Sequence, residues 1–232
     1  MTSSWLVVFV HLGLPSAVNR YKLSRMSDVA KAELRRYLQD GRDAMVWKLE
    51  GLSEYGLRRP LTPTGTNLLG LVKHLAGVEA EYFGVVFNRP FAEELRWLSP
   101  NAEPNEDMWA RSEESRDAIV GLYQRVWVHA DETISLLPLD ASGCVPWWRE
   151  ASNPVSLARI LVHVTAETHR HAGHADIVRE LADGSVGHRD GNDNMAAGDP
   201  AWWHEYCDHL ESVARGYGKQ TQPRATDSHQ PR

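Results

Sequence analysis

ILVHVTAETHRHAGHADIVREL, residues 160–181, decides how this chain folds and what it can hold. At ~100° per residue along a helix, His163, Glu167, His171 and His174 project within roughly 80° of one another. Ile160, Val178 and Leu181 project into the same arc, so the apolar stripe turns to imidazole and carboxylate midway and then reverts. Burying such groups without a partner costs several kcal/mol. A shared metal ion is the simplest partner.

Glu167 and His171 are four residues apart, and side chains at that spacing converge on one point beside a helix. Two ligands rarely suffice, so a third is expected from a neighbouring helix. His74, in LLGLVKHLAGVEAEYF (residues 68–83), lies beside the apolar stripe of Leu71, Leu75, Val78, Tyr82 and Val85 and is the best candidate. Two histidines and one glutamate leave a coordination position open, which favours catalysis over a structural site closed by four protein ligands. Water, a thiolate or a carbonyl could take that position. His163 and His174 are assigned the catalytic roles of proton carriers or groups that orient the ligands; both stay open as alternative ligands.

The 232 residues suggest one domain with appendages. Hydrophobic residues make up 42% of the chain, enough for a sizeable core. A mean hydropathy of -0.43 argues against an integral membrane protein. The net charge of -6 and the dispersed Lys and Arg give no reason to expect nucleic acid. Two cysteines, Cys144 and Cys207, make no disulfide framework and point to a reducing compartment, the cytoplasm. WLVVFVHLGL, residues 5–14, is too short to span a bilayer and lacks the basic start of a secretory signal. Residues 1–25 are read as an N-terminal extension, with Met26 as an alternative start, and residues 218–232 as a disordered tail.

Prolines and glycines divide residues 26–217 into helices. The first is expected over 28–52 with Ser27 or Asp28 as cap, and the second from Thr66 or Asn67 to Phe87. The third is expected from Asp107 or Ser112 to Leu137, and the fourth from Ser156 to Asp183-Gly184. A short fifth helix spans 200–216. No strand alternation is visible. The reading is an all-α four-helix bundle with an extra C-terminal helix, and a long connection between its second and third helices. Bundles build metal sites from side chains on facing helices.

TNLLGLVKHLAGVEAEYF, VPWW and HVTAETHRHAGHADIVRE together resemble the DinB/YfiT-like superfamily of bacterial metalloenzymes, more narrowly its actinobacterial mini-circle-like branch. The resemblance covers residues 28–216. It implies an up-down-down-up bundle and a divalent metal held by one residue of the second helix and two, four apart, of the fourth. His74, Glu167 and His171 match those positions. Many members carry histidine at all three, and Glu167 instead resembles the N-terminal domain of mycothiol-dependent maleylpyruvate isomerases. Those enzymes' separate C-terminal domain has no match here, so isomerase activity is not carried over.

The resemblance implies a metal-dependent S-transferase joining a small thiol such as mycothiol to an electrophilic small molecule, in detoxification. Zinc is expected, with nickel, iron and manganese as alternatives. A hydrolase on the same site is the nearest alternative. A non-catalytic, stress-associated metal-binding homodimer is the second hypothesis, and a fourth fixed protein ligand would favour it. Of the remaining residues, His129 is read as core or surface, Glu81 as a rim group, and Cys144 as inert. Trp97, Trp109, Trp147 and Trp148 are read as cleft wall or loop packing. Gly70 and Gly77 are read as permitting close helix packing.

Overall fold

Between Pro15 and Pro60 the sequence holds no proline, and the first helix runs well upstream of its expected start. In the computed structural model, which describes residues 17–220 and side chains over residues 25–217, α1 spans Ala17–Trp47. Ser27 and Asp28 therefore lie inside the helix rather than capping it. Extending an existing helix is cheaper than ending it and nucleating another. The expectations for residues 5–14 and 221–232 lie outside the described residues, while residues 218–220, expected in the disordered tail, are helical. Among the described residues no helix is long and apolar enough to cross a membrane.

After Trp47 the chain turns at Gly51 (φ 75°) into a short helix, α2, Glu54–Arg58, capped by Ser53 and not anticipated. The next helix, α3, spans Leu68–Phe83, and the Asn67 side chain accepts the Gly70 N–H at its start. It stops short of Phe87 because the backbone folds so tightly at Gly84 that a Cβ there would sit 2.2 Å from the Ala80 carbonyl oxygen. Val85–Phe87 is a 3-10 turn. The third bundle helix, α4, spans Arg116–Leu136, and its cap is Ser115 rather than Asp107 or Ser112. Helix α5, Leu157–Asp183, follows its expected bounds: Ser156 accepts the Arg159 N–H, and Gly184 closes it at φ 80°. Two tiny strands, β1 (Ser142–Gly143) and β2 (Val155–Ser156), pair antiparallel. Two residues are too few for alternation to be visible in sequence.

Contacts give the directions of the four long helices. Arg179 of α5 donates to Lys48 and Glu50 at the end of α1, and His169 reaches the Tyr37 carbonyl, so α1 and α5 run parallel. Lys31 meets Leu137 while Arg42 meets Asp131, so α4 runs against α1. His74 faces Glu167 and Tyr82 faces His163, so α3 runs against α5. Helices α3 and α4 are then parallel, and the order is up-down-down-up. The connection from residue 84 to residue 115 must return along the full length of α3, as its length suggests.

The core consists of two apolar clusters, one at each end of the bundle. On α1 they are separated at Arg42, between Leu38 and Met45. On α5 the break falls at residues 167–171, between Val164 and Ala172. His74, Glu167, His171, Arg42 and Glu79 thus form a polar belt at mid-height between the two clusters. The compact unit holding the bundle extends to Asp193, and Asn194 onward forms a second unit whose helix α6 spans Pro200–Gln220.

Candidate metal centre

Three ligand atoms converge in the polar belt. One atom each from His74 on α3 and from Glu167 and His171 on α5 all lie within 4.8 Å of one another. His171 Nε2 is 3.0 Å and His74 Nε2 is 3.9 Å from the same oxygen, Glu167 Oε1. Donor atoms around a tetrahedral zinc with bonds of roughly 2.1 Å sit about 3.4 Å apart, and these separations bracket that value. His171 is buried, while His74 and Glu167 keep 21% and 28% of their side-chain surface, so the cluster has one face to solvent.

The outer ring nitrogens are held as well. His74 Nδ1 lies 2.7 Å from Asp107 Oδ2. A carboxylate only accepts, so a proton sits on Nδ1, and Nε2 is the nitrogen that faces Glu167. His74 Nε2 and Glu167 Oε1 stand 3.9 Å apart, too far for a hydrogen bond and wide enough for a cation between them. On the other side His171 Nε2–H donates to Glu167 Oε1, and its Nδ1 lies 3.4 Å from His174 Nδ1. An ion would replace that shared proton, and the His171 Nδ1–H would then donate to His174. Burial, followed by the proximity of His74, pushes His171 below the ordinary histidine value and favours the neutral ring that a metal needs. On these grounds the three residues fit a divalent cation.

Why α5 presents this set follows from its angular burial. Taking His163 as zero, Val164, Ala175 and Thr168 lie at ~100–140°, and all three are buried. The ligand arc is therefore the flank of the buried face rather than its centre. Ile160 and Val178 are buried as expected, but Leu181 is 57% exposed and is no anchor. His174 is exposed, and it touches His171 without joining the three converging atoms.

His163 sits one turn before Glu167 and also stays outside the cluster, packed instead among aromatic rings. Its ring is 4.8 Å from Tyr82 and 5.0 Å from Trp148. The Trp147 and Trp148 indoles both donate to the Tyr82 hydroxyl, at 3.2 and 3.1 Å. Burial pushes His163 below the ordinary value, so it is a neutral acceptor near neutral pH. Trp147 and Trp148 thus pack around Tyr82, with Trp148 also against His163, one turn from Glu167. Trp97, itself part of the return connection, instead packs on the core, with the Lys73 ammonium 4.6 Å from its ring. His129 faces Phe91 and does not join the metal cluster. Cys144 and Cys207 are exposed and free.

Asp107 is the residue in contact with the cluster that sequence reading missed, having been considered only as a helix start. Gly70 and Gly77 do permit close approach, but of the return connection rather than of another helix. A Cβ at Gly70 would lie 1.8 Å from the Met108 carbonyl oxygen, and one at Gly77 would lie 3.0 Å from Trp97 Nε1.

A family model described as mycothiol-S-transferase matches residues 33–184. The match takes in the second half of α1, all of α3, α4 and α5, and the three converging side chains. No curated protein matches the chain.

Proposed function

The chain belongs to the mycothiol-S-transferase family, and from that premise we propose that it is a divalent-metal-dependent transferase that joins a small thiol of the mycothiol type to an electrophilic small molecule. The observation that carries this reading is the convergence of His74, Glu167 and His171 with a solvent-facing side. Among the described residues no fourth histidine, cysteine or carboxylate completes the group, which favours chemistry over a closed structural site. Zinc suits the donor set best, with nickel, iron and manganese behind it.

A cation bound there would supply Lewis acidity, lowering the pKa of a thiol so that thiolate is present near neutral pH. The chain's own residues do the rest. His74 and His171 would offer ring nitrogens to the ion, and Glu167 a carboxylate oxygen. His163, one turn before Glu167 on α5, would take the thiol proton at a ring nitrogen. His174 holds the outer nitrogen of His171 and offers a second, exposed route for that proton. Tyr82, Trp147 and Trp148 form an aromatic wall beside His163 against which an apolar electrophile can lie. In the transfer the thiol loses its proton, its sulfur bonds to the electrophilic carbon, and the leaving group departs with its electron pair. Two free cysteines support a reducing compartment such as the cytoplasm, where mycothiol-type thiols would be available.

Incubating the zinc-loaded protein with a thiol and monochlorobimane tests the reading. Conjugate should form with the wild type and not with His171→Ala. No metal-dependent conjugation over a range of thiols and electrophiles would overturn it.

A further inference from the structure

The connection from residue 84 to residue 115 ends in a segment gripped from two sides. From α3, the buried Asn67 donates through Nδ2 to the Met108 carbonyl at 3.0 Å. The buried Lys73 ammonium donates to the Trp109 carbonyl at 3.0 Å and to Glu114 Oε2 at 2.9 Å. From the far side, Arg58 of α2 donates to the carbonyls of Ala110, Arg111 and Glu114. Within the segment, buried Glu106 accepts from the Glu103 N–H and from Arg111. Gly70 supplies the space, since any Cβ would collide with the Met108 carbonyl. The one side chain this clamp delivers to the ligand cluster is Asp107, whose Oδ2 stands 2.7 Å from His74 Nδ1.

We propose that Asp107 is a positioning residue of the metal centre: it fixes the tautomer and ring direction of His74, and the clamp on residues 106–114 exists to hold it there. The inference rests on the metal reading above. A free imidazole in water favours the proton on Nε2, the nitrogen that must be bare to bind metal. The acceptor at Nδ1 reverses that preference before any ion arrives. Ligand histidines held in this way commonly owe about 10–100-fold of their metal affinity to the outer partner.

The test compares wild type, Asp107→Ala and Asp107→Asn by zinc competition against a chromophoric chelator. Asn keeps an acceptor at the same reach, whereas Ala removes it. Expected is a loss of about 10–100-fold in affinity for Asp107→Ala and a much smaller loss for Asp107→Asn. Equal affinity of Asp107→Ala and wild type would overturn the assignment while leaving the metal site standing. A second readout needs no ion and only the wild-type protein. Nitrogen-15 NMR of the metal-free protein should find the His74 proton on Nδ1, and finding it on Nε2 would overturn the assignment. A wild type that binds no zinc would instead remove the metal reading, and the NMR result would still decide Asp107.

Discussion

At His171 two demands meet: the ring must be buried enough to stay neutral, and its Nε2 must reach an anion. Burial lowers its proton affinity, while Glu167 at 3.0 Å supplies the anion. His171→Ala should therefore lower bound zinc from about one ion per chain to near none, by elemental analysis. The helical circular dichroism should be kept, because Ala favours helix. Glu81 offers a pH test away from the ligands. Burial first, and the charge of Asp107 second, hold its carboxyl above the usual carboxylate range. The folded state then binds that proton more tightly than the unfolded chain. The contribution of Glu81 is complete at acid pH and is lost as pH rises through the folded value. Glu81→Gln mimics the neutral acid, so its melting temperature should exceed that of the wild type at about pH 7.5 and match it near pH 4. A difference independent of pH would contradict this cause.

Among the elements, α3 and the return connection are tied closely enough for one methyl group to matter. Gly70→Ala would place a carbon 1.8 Å from the Met108 carbonyl oxygen, so backbone must move. A destabilisation of about 2 kcal/mol or more is expected by chemical denaturation, together with weaker zinc binding, since the displaced segment carries Asp107. Unchanged stability would mean that the connection is slack. Asn67→Ala removes both the α3 cap and the bond to Met108 and should cost about 1–2 kcal/mol. The sequence makes α5 legible from cap to final glycine because its signals are local: Ser156, the ligand spacing and Gly184. His74 was legible because it flanks an apolar stripe with an obvious period. Asp107 was not, because its partner is 33 residues away and only the path of the connection brings them together. The start of α1 was misplaced for a related reason. Ser27-Asp28 is a good cap by composition, but nothing upstream compels the helix to stop there.

Across the whole molecule, the belt between the two apolar clusters is held by charge as well as by any ion. Arg42 on α1 and Glu79 on α3 are both fully buried and pair at 2.5 Å. Tyr123 on α4 donates to Glu79 at 3.1 Å, and Arg42 also reaches Asp131 at 3.0 Å. Three helices are thus joined at mid-height, and composition gave no hint of it, since each of the charged residues alone reads as solvated. Glu79→Ala would leave the buried guanidinium short of its main partner and should cost about 3–5 kcal/mol in urea unfolding. The double variant Arg42→Met with Glu79→Leu should recover much of that loss, and equal loss in both would contradict the argument. This belt fixes the heights of α1, α3 and α4, and contacts between α1 and α5 fix the fourth, so that His74 meets Glu167 and His171. Titration of chelator-treated protein with zinc, run in parallel on the wild type, His74→Ala, Glu167→Ala and His171→Ala, tests this most directly. The account predicts one ion per chain in the wild type and a loss of at least about 100-fold in affinity for each substitution. An ion held equally well without these side chains, or no ion in the wild type, would contradict it.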